Sequence, residues 1–258
     1  MNQEHMAKII AVVNQKGGVG KTTTAVNLGA YLAEQGKYVL LVDLDPQANA
    51  TSGLGIDYQN LDRGIYEALA GQYLVREIVK STDHVGYRIA PATSALAGAN
   101  VELVNVPNRE FKLSQALLEV RGDYDVILID CPPSLGLLTV NGLVAADQIL
   151  IPVQAEYYAL EGLSQLINTI NMIKEGIKPE LDILGAVITM FDKRTRLSSQ
   201  VMEELYKYFP NKIFRSVIPR NVRLTEAPSY GKSILNYDSA SKGGRAYEKL
   251  ARELAEFL

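Results

Sequence analysis

Cysteine is almost absent: Cys131 stands alone among 258 residues. No internal disulfide can therefore form and no cysteine cluster can hold a metal, so Cys131 reads as a small reduced residue beside a strand end. Long apolar runs are missing as well, since no stretch approaches the roughly 20 residues that a membrane span requires. The N-terminus shows no basic region followed by a long apolar one, so no signal peptide is evident and the cytoplasm is the expected location. Internal repeats, low-complexity tracts and linkers are also lacking. With 47% hydrophobic residues the chain suits one α/β core, expected as a single domain over 1–258 in which 1–6 form a disordered leader and Met6 is a candidate natural start.

The net charge of −3 conceals an asymmetry. Between Met190 and Arg245 there are 11 Lys and Arg against 5 Asp and Glu, while the remainder holds 15 against 24. An otherwise acidic protein can thus carry one basic face.

What the chain does contain is a glycine-rich turn, Asn14-Gln15-Lys16-Gly17-Gly18-Val19-Gly20-Lys21-Thr22-Thr23-Thr24. The apolar run Ile9–Val13 before it has the β-branched character of a strand buried on both faces, and helical spacing follows as far as Gly36. Strand, glycine loop and helix in that order direct backbone N–H groups and a positive helix end at an anion. Gly17, Gly18 and Gly20 let the backbone approach a phosphate closely, Lys21 adds a point charge for the β- and γ-phosphates, and the Thr22 hydroxyl is placed to bind Mg²⁺. Gln15 stands where the ordinary P-loop has its first glycine, and Lys16 sits beside Gly17 instead. The segment Lys16–Thr22 resembles the deviant Walker A motif of the ParA/MinD class of P-loop ATPases.

A second apolar run, Tyr38–Val42, ends in Asp43-Leu44-Asp45-Pro46-Gln47. Carboxylates at the carboxyl end of a parallel strand face the ligand crevice of an open α/β sheet, so Asp45 is a candidate for orienting the attacking water and Asp43 for supporting the metal shell or the loop. The stretch 48–63 reads as loop, 65–69 and 74–79 as short helices, 87–90 as a strand and 111–120 as a helix. Asp125–Asp130 closes an apolar strand on a carboxylate in the manner of a Walker B segment, with Asp130 reaching Mg²⁺ through water. A helix over 135–146, strands at 149–153 and 183–188 separated by a helix at 160–174, and a last strand at 212–218 complete the alternation. The expected fold is a doubly wound, mostly parallel α/β sheet with helices on both faces. Tyr247, Leu250, Leu254 and Leu258 in the helical tail favour docking on the domain over a membrane anchor, because Glu248, Lys249, Arg252, Glu253 and Glu256 are not mainly basic.

Lys16–Thr22, Asp43–Gln47, Asp125–Pro133 and Pro219–Lys232 follow one another as in the ParA/Soj partitioning ATPases, and the resemblance covers the chain after Ala7. Asn49–Gly55 and Glu226-Ala227-Pro228-Ser229 look especially like the chromosomal Soj branch. The resemblance implies an ATP-dependent homodimer in which Lys16 crosses to the partner's phosphates. It assigns Asp45 to hydrolysis, Thr22 to the metal, Gly17 to Thr23 to the phosphates, and Pro219 and Asn221 to adenine. It also implies non-specific double-stranded DNA binding on the nucleoid and a ParB-type partner protein that stimulates turnover. Lys193, Arg194, Arg196, Arg220, Arg223, Lys232 and Lys242 are the candidate DNA contacts, with Arg245 beside them; gathered on one face they would release counterions from DNA phosphates. A MinD-like membrane-associated regulator is the alternative, and it needs a basic amphipathic tail that is lacking. A nitrogenase-like electron carrier fails because one cysteine per subunit cannot supply a four-thiolate cluster.

Overall fold

The structure, a computed structural model, describes residues 6–156 and 159–258, without the side chains of 100, 159–161 and 196–200. Among the described residues seven strands form one sheet: β1 (Lys8–Val12), β2 (Val39–Asp43), β3 (Lys80–Ser81), β4 (Tyr87–Ala90), β5 (Val126–Asp130), β6 (Gln148–Gln154) and β7 (Asp182–Thr189). Their order is β3-β4-β2-β5-β1-β6-β7, parallel throughout except for the short β3 at the edge.

The central strands are apolar runs because both of their faces are covered. Ile9 and Ala11 face one core layer with Leu40, Val42, Ile127 and Ile129. Ile10 and Val12 face the other with Val39, Leu41, Val126 and Leu128, against the helices Lys21–Glu34 and Lys242–Ala255. The tail helix buries Tyr247, Leu250 and Leu254, and the Tyr247 hydroxyl lies 3.1 Å from Thr24 Oγ1. Leu258 lies past the helix end and is partly exposed.

Register sets the site. Asp43 pairs with Asp130, and Asp130 with Val12, so two carboxylates end neighbouring strands beside the start of the phosphate loop.

Three expectations need correction. The stretch 212–218 is not a continuous strand: it forms isolated bridges, Ile213 with Ala186 of β7 and Pro219 with Phe191 beyond the end of β7. Between them Phe214 N and Ile218 N still donate to the carbonyls of Ala186 and Ile188, but the N–H groups of Arg215 and Ser216 donate to the Glu253 carboxylate at 2.7 and 2.9 Å, which interrupts the ladder. The stretch 48–63 is not all loop, since a helix covers Asn49–Gly53 after Ala48 takes a left-handed conformation. The helix expected at 111–120 is shorter, Lys112–Leu117, behind a 3₁₀ turn at Arg109–Phe111. An amphipathic helix at Arg196–Tyr208 and short ones at Val222–Glu226 and Ile234–Asp238 were not anticipated from the sequence.

Candidate nucleotide site and basic groove

The glycine turn is fastened from behind. Thr189, at the end of β7, donates its hydroxyl to the carbonyl of Val19 at 2.7 Å, and Lys16 N donates to Asn14 Oδ1 at 3.0 Å. Gly18 and Gly20 take φ of 73° and 90°, a region that glycine enters without strain. A Cβ at Gly17 or Gly18 would meet no atom within 4 Å, so both face open space. Among the described residues, no hydrogen bond within the chain takes the N–H groups of Gly17, Gly18, Val19 or Gly20. The helix Lys21–Glu34 then begins without a side-chain cap and without an acidic residue in its first turn. Such an end accepts an anion.

The turn opens on a cavity of about 420 Å³ lined by Gly17, Gly18, Gly20 to Thr23, Asn27, Asp45, Gln47, Asn49, Pro133, Met190, Ala227, Pro228 and Lys232. Lys21 is 6% exposed, and its Nζ donates to the carbonyl of Lys16 at 3.1 Å. Burial lowers its pKa from the ordinary lysine value, and the charges of Asp130 and Asp45 oppose that shift.

Asp43, fully buried, accepts from Thr51 N at 2.8 Å, Thr51 Oγ1 at 2.6 Å and Asp45 N at 3.2 Å. It supports the loop, as one of its two expected roles required. Burial nevertheless pushes its carboxyl up to about 6. Asp45 lines the cavity and accepts from Gln47 N at 2.9 Å. Asp130 is the outlier: it is wholly buried, and neither carboxylate oxygen has a hydrogen-bond partner of ordinary geometry. Burial, then the charge of Asp43, raise its pKa well above the carboxylate range, while the nearby Thr22 hydroxyl and Lys21 oppose.

An orphaned buried carboxylate beside a threonine hydroxyl and an open amide cradle fits Mg²⁺ carried by a polyphosphate. Among the described residues, no cluster of three His, Cys, Asp or Glu could hold a metal unaided. Magnesium is suited to such a sparse protein shell, because phosphates and water complete its octahedron.

A second concavity, of about 1200 Å³, runs between the segment after β7 and the tail helix. Among the described residues its lining carries eight cations, Lys193, Arg194, Arg215, Arg220, Lys242, Arg245, Lys249 and Arg252, against Asp192, Glu253 and Glu256. Four of the cations expected from sequence to contact DNA therefore meet: Lys193, Arg194, Arg220 and Lys242. Arg223 is instead paired with Glu226 at 2.8 Å and Asp238 at 3.5 Å, and Lys232 lines the phosphate cavity. The side chain of Arg196 lies outside the described residues. Pro219 lines the groove rather than the phosphate cavity, and Asn221 caps a helix by accepting from Arg223 N at 2.9 Å. Arg215, Lys249 and Arg252 were missed. Arg245, Lys249 and Arg252 recur at helical spacing along the tail, a stripe that a count over the whole polar face dilutes.

Doubly wound sheet, glycine cradle, buried lysine and paired strand-end carboxylates together define a P-loop nucleoside-triphosphatase. Residues 7–183 match a family model described as an AAA domain. The chain is 56% identical to the sporulation initiation inhibitor protein Soj of Bacillus subtilis over 97% of this chain and 99% of that one. It is 51% identical to the chromosome-partitioning ATPase Soj of Treponema pallidum, over 96% and 97%. A cobyrinic acid a,c-diamide synthase from Mycobacterium smegmatis, solved with bound ADP and magnesium, superposes with a TM-score of 0.86 at 39% identity, covering 97% of this chain and 95% of that one. The chain belongs to the ParA/Soj family of partitioning ATPases, and its cofactors are ATP and Mg²⁺. Among the described residues, no helix is long and apolar enough to cross a membrane.

Proposed function

We propose that the chain is an ATP-driven DNA-partition switch. Two ATP-bound copies close face to face, Lys16 of each reaching the phosphates held by the other, and the closed dimer grips double-stranded DNA on the nucleoid without sequence preference. Hydrolysis, stimulated by a ParB-type protein, resets it. Magnesium, when bound, neutralises phosphate charge and polarises the γ-phosphoryl group. The protein's own part is to hold the phosphates on the Gly17–Thr23 amides and Lys21, to anchor the metal through Thr22 and Asp130, and to orient a water with Asp45.

The observation that carries this reading is the shared wall of the two concavities. Met190, directly after β7, lines the phosphate cavity, and Phe191 to Arg194 line the basic groove. Thr189 ties that same segment to the phosphate loop through Val19. A change of nucleotide therefore acts on the residue next to the groove's first cations. Against the membrane-regulator reading, the tail helix uses its apolar face on the protein's own core.

A DNA shift assay at two salt concentrations with ATP, ADP or no nucleotide tests the reading. ATP alone should give strong retention, and Arg194→Glu with Arg245→Glu should abolish it while ATP-dependent dimerisation survives. Each cation–phosphate pair removed by a single substitution should flatten the logarithmic salt dependence by about 0.9. Retention indifferent to nucleotide, or to both charge reversals, would refute it.

A further inference from the structure

The cations of the groove stand over an apolar floor. Phe191, Met202 and Val217 pack against the core layer of Ile9 and Ala11 with part of their surface left open. Pro219 is half-buried beside them, and Ala246 closes the floor from the tail helix. Along that helix Lys242, Arg245, Lys249 and Arg252 recur at helical spacing, a stripe about 15 Å long at the helical rise. The carboxylates of the lining are committed elsewhere: Asp192 pairs with Arg194 at 2.7 Å, and Glu253 and Glu256 pair with Arg215 at 3.5 and 3.6 Å. Among the described residues no carboxylate pairs with Lys242, Arg245 or Lys249.

We propose that this groove is also a docking surface for an acidic amphipathic helix of a second protein, which excludes DNA from the same cations. A phosphodiester backbone answers the rim alone, because phosphate and sugar offer nothing apolar to Phe191, Met202 and Val217. A helix with an apolar stripe flanked by aspartate or glutamate answers both. Its anchors at i, i+3 or i+4 and i+7 take the floor out of water, and its carboxylates repeat at the spacing of Lys242, Arg245 and Lys249. The floor then supplies affinity and the choice of partner. The rim, exposed and screened by salt, supplies orientation and a faster encounter. An occupant seated on the floor covers the cations that DNA would need, so helix and duplex compete. The docking surface stands on the groove's own chemistry, and only the competition rests on the DNA reading above.

The probe is a fluorescein-labelled synthetic peptide of about four helical turns, with leucines at i, i+3 and i+7 and glutamates flanking them. Its control carries glutamine in place of each leucine and the same charge. Fluorescence anisotropy with the chain, ATP and Mg²⁺ gives both affinities, and a short DNA duplex added to the complex gives the competition. The leucine peptide should bind roughly tenfold tighter than its control or better, and the duplex should displace it. Met202→Gln combined with Val217→Thr should remove most of that preference while DNA retention, which also reports folding, stays as in wild type. Lys249→Glu should weaken peptide and duplex alike. Equal affinity of wild type for the two peptides would overturn the docking surface without recourse to any substitution, as would a leucine preference that survives the paired floor substitutions. If the leucine preference holds but a duplex that the chain retains fails to displace the peptide, the competition is overturned. A chain that retains no DNA, yet prefers the leucine peptide, would refute the proposed function and leave the docking surface standing.

Discussion

Replacing Asp43 by asparagine should remove a pH dependence of stability that runs opposite to ordinary acid denaturation. Burial raises the Asp43 carboxyl from its ordinary 3.8 to about 6, with the charge of Asp45 adding to the shift and the donors from Thr51 and Asp45 opposing it. Between those two pH values the folded chain holds a proton that the unfolded chain has released, so unfolding free energy falls as pH rises through the window. At about 1.4 kcal/mol per pKa unit the whole window is worth about 3 kcal/mol. Most surface carboxylates are already ionised by pH 5, and the part of the effect between pH 5 and 7.5 is about 1.4 kcal/mol. At 2–4 °C per kcal/mol for a chain of this size, nucleotide-free protein should melt about 3–6 °C higher at pH 5 than at pH 7.5 from this group alone. Asp130 is shifted further in the same direction and extends the slope above that window. His84 works the other way: burial lowers its pKa, so its protonation at low pH favours the unfolded chain. The informative quantity is therefore the difference between wild type and Asp43→Asn in calorimetric scans at constant ionic strength, with chelator and without nucleotide. Wild type should show the steeper decline with rising pH, whatever the offset between the two proteins. Equal slopes would refute the assignment of a raised carboxyl to Asp43.

Gly29→Ala should destabilise the chain by about 1–3 kcal/mol, because the new methyl would lie against the buried ring of Tyr87, whose hydroxyl is held by the carbonyls of Ala25 and Val26. Chemical denaturation reads the loss, and a variant as stable as wild type would show that the helix and β4 can part at little cost. Cys131 should resist thiol reagents in the native protein at pH 8 and react only after denaturant is added, since burial pushes its thiol far up and the neighbouring Asp130 adds to the shift. Rapid native labelling would show that the strand ends around it open freely.

The parts of the site that were legible in the sequence are those made by strands buried on both faces. Such strands read as unbroken β-branched runs, and in a parallel sheet each run ends at the edge where the crevice lies, so Asp43, Asp130 and the glycine turn were all placed at the strand ends from local pattern. What was illegible depends on partners far away in the chain. The helix Asn49–Gly53 is pinned by Asp43 through Thr51, and no capping signal at Ala48 announces it. The segment 212–218 has strand composition, yet Glu253, almost forty residues later, takes two of its central amides. The cations were found as a population but not as a surface: Arg223 lies among groove residues in sequence and is drawn off by Glu226 and Asp238.

The electrostatic costs of the fold are concentrated where β1, β2 and β5 end. Lys21 is desolvated, Asp130 is buried without a hydrogen-bond partner of ordinary geometry, and Asp43 is pushed up beside it. Groups with such shifts normally destabilise a fold, and distant packing must offset them. A phosphate would give Lys21 an anion, and a magnesium ion would give Asp130 a cation, so each of those costs shrinks when ATP and the metal arrive together. Neither ligand alone relieves both groups. Stability should therefore rise more with the pair than with either separately, which links occupancy of the cradle to the rigidity of the strand ends. Thr189 binds the loop to the segment that starts the basic groove, so that rigidity has a direct connection to the groove.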